Sequence, residues 1–131
     1  MPLLTRLCLR AGLAWLVIAL AAGLWLAVSP MGAPPGLRPT WIHLITVGWI
    51  TNLIFGVAHW MFPRASREQP RGQAFWGWVA FGGLNVGLLL RALAESFPGP
   101  SAPAMLEAAA VFQLGAGVAF AIHIWPRLTV R

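Results

Sequence analysis

Twenty-two consecutive residues, Trp41 to Phe62, read WIHLITVGWITNLIFGVAHWMF, with no charged side chain and a histidine near each end. A run of that length and polarity crosses a bilayer as a helix, because about 20 residues at ~1.5 Å each span ~30 Å of hydrocarbon. A membrane strand needs only about 9 to 11 residues and alternates in polarity, which this run does not. Imidazole is costly in hydrocarbon, so each histidine in such a run raises the question of what it binds.

Three further apolar runs of similar length follow the same logic: Ala11 to Ser29, Ala74 to Ala94 and Ala104 to Trp125. With 59% hydrophobic and 9% charged residues, and a mean hydropathy of +0.75, the composition belongs to membrane proteins rather than to water-soluble domains. The sequence therefore predicts an all-α fold, an integral membrane four-helix bundle in one transmembrane domain, residues 1–131, with helices at about 11–29, 41–62, 74–94 and 104–125. Prolines punctuate the runs: Pro30, Pro34, Pro35 and Pro39, then Pro63 and Pro70, then Pro98, Pro100 and Pro103. Pro126 is expected to close the last helix.

Arginine sets the orientation. Arg6 and Arg10, then Arg64, Arg67 and Arg71, then Arg127 and Arg131 all fall on one side, whereas Arg38 and Arg91 lie toward the other. The positive excess marks the cytoplasmic face, so both termini are expected there, in a bacterial inner membrane. Trp41 at the outer boundary and Trp60, Trp76 and Trp125 at the inner one complete an aromatic belt. A net charge of +6 dispersed over short segments is explained by topology and excludes a nucleic-acid partner; lipid is the expected surroundings.

The first run is longer than the about 7 to 15 apolar residues of a cleaved signal peptide, and is read as a retained span. The single cysteine, Cys8, supplies no thiolate cluster and reads as a small buried hydrophobe. Hydrolytic catalysis finds no constellation of nucleophile, acid and base, so no catalytic residue is assigned. A small transporter or channel is the weakest of the alternative functions, because the sequence displays no broken helix, buried carboxylate or charged pore ring.

The histidines divide by depth. His43 stands about one turn inside the outer end of the second run, and His59, sixteen positions on, is ~24 Å further along the same helix. They cannot share one metal. His59 and His123 end two helices of the same direction, in the similar segments His59-Trp60-Met61-Phe62-Pro63-Arg64 and His123-Ile124-Trp125-Pro126-Arg127, and so can meet across a bundle. Each is open to two readings, an axial haem ligand or an imidazole satisfied by a carbonyl or interfacial water.

The segment Leu37-Arg38-Pro39-Thr40-Trp41-Ile42-His43, with Gly48, Asn52 and Gly56 beyond it and the ending Phe55-Gly56-Val57-Ala58-His59-Trp60-Met61-Phe62-Pro63, resembles the second transmembrane helix of subunit I of haem–copper oxidases and nitric oxide reductases. His43-Leu44-Ile45-Thr46-Val47-Gly48 and Asn85 to Ala94 are similar to stretches of the NnrS family of haem and copper membrane proteins. The resemblance implies haem b with His43 as a ligand to its iron, and His59 and His123 as lesser candidates. It implies a role in electron transfer or in binding a diatomic gas, nitric oxide or dioxygen. Those families use many more helices and further histidines, so a complete oxygen- or nitric-oxide-reducing centre is not expected in this chain, and the correspondence stops at His43.

Haem propionates need cationic partners, and Arg38 and Arg91 are the basic residues on the His43 side; Arg91 is equally placed to pair with Glu95, one turn on. Because the oxidase scaffold is pseudo-threefold, the resemblance also implies a homo-oligomer, a trimer or else a dimer, in which a second copy supplies the missing axial ligand. A haem-free accessory subunit of a larger respiratory or photosynthetic membrane complex is the alternative. Gly82, Gly83 and Gly87, with Gly115 and Gly117, are expected to let helices approach, and Asn52, Asn85 and Gln113 to hydrogen-bond near mid-membrane. Glu107 is expected to face interfacial water.

Overall fold

A chain in hydrocarbon must satisfy its backbone polar groups within each segment, and helices do so. The computed structural model describes residues 1–62 and 74–128, and among these the regular structure is helical throughout. Four helices are long and apolar enough to cross a membrane: α1 (Leu3–Val28), α2 (Leu37–Met61), α3 (Ala74–Ser96) and α4 (Ala102–Leu128). The chain is a multi-pass membrane protein with an all-α fold. Arg64, Arg67, Arg71, Arg131, Pro63 and Pro70 lie outside the described residues.

Each helix is longer than its apolar run, because backbone hydrogen bonding continues into the interfacial region after apolarity ends. Thus α1 begins at Leu3 and carries Arg6 and Arg10, both exposed. Pro39 and Pro103 lie in the first turns of α2 and α4, where a missing N–H removes no intrahelical bond. Pro126 does not close the last helix, as the sequence predicted. It lies inside α4, which runs on to Leu128. A proline loses the bond to the carbonyl four residues back and crowds that carbonyl, and here Arg127, in the same turn, ties it to the end of α2, as described below.

The helices run alternately up and down, and residues near the start of α1 (Leu4, Cys8) meet those near the ends of α2 and α4 (His59, His123), so the start of α1 and the end of α4 lie at one end. The backbones of α1 and α2, of α2 and α3, and of α3 and α4 lie side by side, α1 also touches α3 and α2 touches α4, whereas α1 and α4 meet only through side chains of one core at the terminal end, where Leu4 and Cys8 join Ala116, Ala119 and His123. A closed bundle would bring the first and last helices together. Here that meeting is confined to the terminal end, and toward the His43 end the arrangement is an open arc.

Small residues set the spacing. Cβ atoms built on Gly83 and Gly87 would come within 3.0 Å of the Phe112 and Ala109 carbonyl oxygens, so these glycines, four apart on one stripe of α3, let α4 approach backbone to backbone. The facing stripe of α4 consists of buried alanines, Ala109, Ala116 and Ala119. Gly82, Gly115 and Gly117 have nothing within 4 Å of such a Cβ, so the expectation that all five glycines mediate approach holds for two. The difference is one of azimuth, which the apolar sequence of these helices does not encode.

Midway along the bundle, α2 widens into a π-helical stretch from Leu44 to Thr51. Its carbonyls accept from side chains: Asn52 Nδ2 donates to Gly48 O at 2.7 Å and Thr51 Oγ1 to Thr46 O at 2.8 Å. Asn52, fully buried, accepts from Asn85 Nδ2 at 3.1 Å, and Asn85 Oδ1 accepts from Trp15 Nε1 at 2.8 Å. One polar node thereby joins α1, α2 and α3. Beside it, a Cβ on Gly48 would lie 2.8 Å from the Cβ of Trp15 and 2.9 Å from the Leu88 side chain.

Two substitutions test this centre. Asn85→Leu strands the Trp15 donor and the Asn52 acceptor in hydrocarbon and is expected to destabilise the fold by about 1–3 kcal/mol, and Gly48→Val, by overfilling the contact with Trp15, by a similar amount. Cys8 is 2% exposed and the only cysteine, so the rate of thiol labelling in detergent reads the opening of the bundle; both variants should label faster than the parent chain.

Candidate functional site

His43 closes the α-helical first part of α2, and the rise of that helix sets it beside the last turn of α3. There Glu95 occupies the centre of a polar cluster. Its Oε2 lies 3.2 Å from His43 Nδ1 and accepts from Thr40 Oγ1 at 3.2 Å; its Oε1 lies 3.6 Å from Arg91 NH1. Arg91 Nε in turn donates to Gln113 Oε1 on α4 at 3.2 Å. The cluster therefore ties α2 to α3 and α3 to α4. Thr40 Oγ1 also reaches Gly36 O at 2.9 Å and Ser96 Oγ at 3.2 Å. Gly36 abuts the backbone of Glu95 so closely that a Cβ there would overlap its carbonyl, so only glycine fits at this crossing.

The chemistry of the cluster follows from its donors. A carboxylate only accepts, so the His43 nitrogen facing Glu95 carries the proton and donates, which fixes the neutral tautomer with Nε2 as the acceptor. The Glu95 side chain is 11% exposed against 30% for His43, so the carboxylate is enclosed while the ring reaches the periphery of the arc. No hydrogen bond or ion pair engages Nε2 among the described residues. An imidazole oriented through one nitrogen by a carboxylate is the arrangement found where the other nitrogen binds a metal. Arg91 offsets the negative charge of Glu95 within the membrane.

Arg38 is on a different side of α2. It lies five positions before His43, about 140° around the helix, and faces a crevice against α1 rather than the Glu95 cluster. Of the two arginines expected beside a haem at His43, then, Arg91 belongs to the cluster and Arg38 does not. The sequence reading paired Arg91 with Glu95 but missed that Glu95 also holds His43. The chain has three acidic residues, and one of them near the end of a span is a signal that could have suggested it. Thr40, Ser96 and Gln113 gave no comparable signal. Glu107, on the first turns of α4, is exposed, as expected.

At the terminal end, His59 and His123 do meet. His59 Nδ1 and His123 Nε2 are 2.7 Å apart, and the ring centroids are separated by 4.9 Å with 22° between planes. With nitrogens so close and centroids so far apart, the rings point end to end and share one proton along a nearly linear N–H···N bond. Both are buried, at 5% and 2% exposure, beside Cys8 and a stacked pair, Phe55 and Phe120, whose centroids are 3.8 Å apart. Arg127, also buried, donates through NH2 to His59 O at 2.9 Å and to Phe62 O at 2.6 Å, satisfying carbonyls at the end of α2.

Two nitrogens on opposite sides of one metal atom stand ~4 Å apart, given metal–nitrogen distances of about 2.0–2.1 Å. The His59 and His123 nitrogens are closer than that, and the enclosed space beside them is about 10 Å³, room for at most one water molecule. As arranged, the pair fits a shared proton and does not fit a macrocycle between the rings. His43, with an oriented ring and a free edge at the periphery, does fit as one ligand to a group held partly outside the chain. No family model, curated protein or solved structure matches this chain.

Proposed function

We propose that this chain is a haem b-binding subunit of a bacterial cell membrane, with His43 as an axial ligand, acting in electron transfer or in binding a diatomic gas. The observation that carries this reading is the Glu95 carboxylate on His43 Nδ1, which orients the ring and leaves Nε2 to ligate. The haem would supply the one-electron and gas-binding chemistry, its potential tuned by axial ligation, hydrogen bonding and burial. The chain's own residues hold the ligand. Glu95 orients the ring, Arg91 balances the carboxylate, and Thr40 and Gln113 fix both in place.

The open arc supports assembly. His43 lies at the periphery, and one chain offers no other histidine at that depth, so a second axial ligand would come from another copy or another subunit. A homotrimer is the preferred state and a dimer the next, because the α1 and α4 edges, whose backbones do not approach each other, suit a head-to-tail contact that closes into a ring.

An optical spectrum with and without dithionite tests the reading directly: a Soret and α band pair is expected on reduction, and a colourless preparation would leave the haem-free accessory subunit in its place. His43→Ala should abolish or shift the bands, while His59→Ala and His123→Ala should leave them largely intact. The opposite pattern would transfer the site to the terminal pair. Glu95→Gln, which keeps the shape but loses the charge, is expected to weaken haem retention about 10- to 100-fold.

Native mass spectrometry in mild detergent reads the assembly. Fewer haems than chains in a homo-oligomer is the expected result. A monomer carrying one haem would sink the shared-ligand arrangement.

A further inference from the structure

The residue that the His43 cluster does not use is Arg38. It stands at the first turn of α2 and lines a crevice of about 540 Å³ between the end of α1, the connecting turn and α2. The walls are apolar or small, with Leu26, Ala27, Pro34 and Pro35 among them, and Trp41 borders the same space. A Cβ on Gly23 would come 2.9 Å from Trp41 Nε1, so the glycine lets the indole lie flush against α1 beside the crevice. Arg38 is exposed and is the single charged residue of the lining, and among the described residues no hydrogen bond or ion pair engages its guanidinium.

An apolar crevice with one cation, opening at the end of two membrane helices, matches a ligand with an apolar tail and an anionic head. We infer that the crevice binds an anionic phospholipid of the leaflet at the His43 end, with the phosphate on Arg38 and part of an acyl chain along the Leu26 and Pro34 wall. Guanidinium suits phosphate because its planar fork donates two parallel hydrogen bonds to the oxygens. Trp41 lies where an amphipathic ring rests at headgroup level. A soluble anion would gain only the one arginine, since no other cationic side chain lines the space and the apolar walls offer it nothing. A propionate of a group bound at His43 would have to reach around α2, about 140° away from its ligand.

Native mass spectrometry of the full chain, released from mild detergent after incubation with equal amounts of phosphatidylglycerol and phosphatidylcholine, tests the inference whether or not haem is present. The parent chain should retain phosphatidylglycerol in preference, by about fivefold, the factor one basic residue contributes at a membrane surface. Arg38→Gln should remove that preference, Arg38→Lys should keep most of it, and Arg10→Gln at the opposite end should leave it unchanged. Arg38 is exposed, so its substitution is not expected to open the bundle, and Cys8 labelling at the parent rate verifies this. Equal retention of both lipids by the parent chain, or a preference that survives Arg38→Gln, would overturn the inference. So would loss of the preference on adding soluble glycerol phosphate, which would assign the crevice to a free anion.

Discussion

Hydrogen bonding between helices, in surroundings that offer no water, is the constraint on which this structure turns. Lipid tails are as apolar as leucine, so burying apolar side chains does little to hold one helix against another, and association rests on close contact and polar bonds. Helix α2 carries a polar residue at each of three depths, and each is joined to a neighbour: His43 to Glu95, Asn52 to Asn85, and His59 to His123. The first two bind α2 to α3 and the third binds it to α4. Extensions of the same bonds reach α1 through Trp15 and α4 through Gln113. The bundle is in this sense organised around one helix, and its π-helical stretch supplies carbonyls that Asn52 and Thr51 then satisfy.

The two histidine sites differ in a way that bears on function. At the terminal end both rings are enclosed, a hydrogen bond joins them, and Arg127 seals the helix end beside them. Such an arrangement leaves no room for a further group between the rings. At the other end a single imidazole is oriented by a carboxylate and stops at the edge of the arc, at the end where the first and last helices stay apart. The asymmetry supports a role for His43 that involves another molecule, and the openness of the arc supports a partner chain as part of it.

Separation of charge among the basic residues follows from the same geometry. Arg91 and Arg127 are committed to partners inside the protein, one to Glu95 and Gln113, the other to backbone carbonyls. Arg38 is turned instead toward an apolar crevice at the membrane boundary. A cation committed to internal partners stabilises helix contacts, whereas one facing lipid addresses the surroundings, and a count of arginines does not distinguish the two.

What the sequence determined by itself was position along the membrane normal. Four apolar runs, their proline breaks, the common side of the termini, the depth of each histidine and the meeting of His59 with His123 all follow from where residues fall along helices of known rise. Direction around each helix was left to the tertiary structure, because a span that is apolar on every side carries no periodic signal to say which face meets which neighbour. That is why the Arg91–Glu95 pair, fixed by spacing within one helix, was legible while the Glu95 contact to His43 was not. It is also why Gly83 and Gly87 could not be told from Gly82, nor the side faced by Arg38 from that faced by His43. Pro126 belongs with these, since whether a proline ends a helix depends on what satisfies the turn around it, and Arg127 reaching a neighbouring helix is a fact of three dimensions.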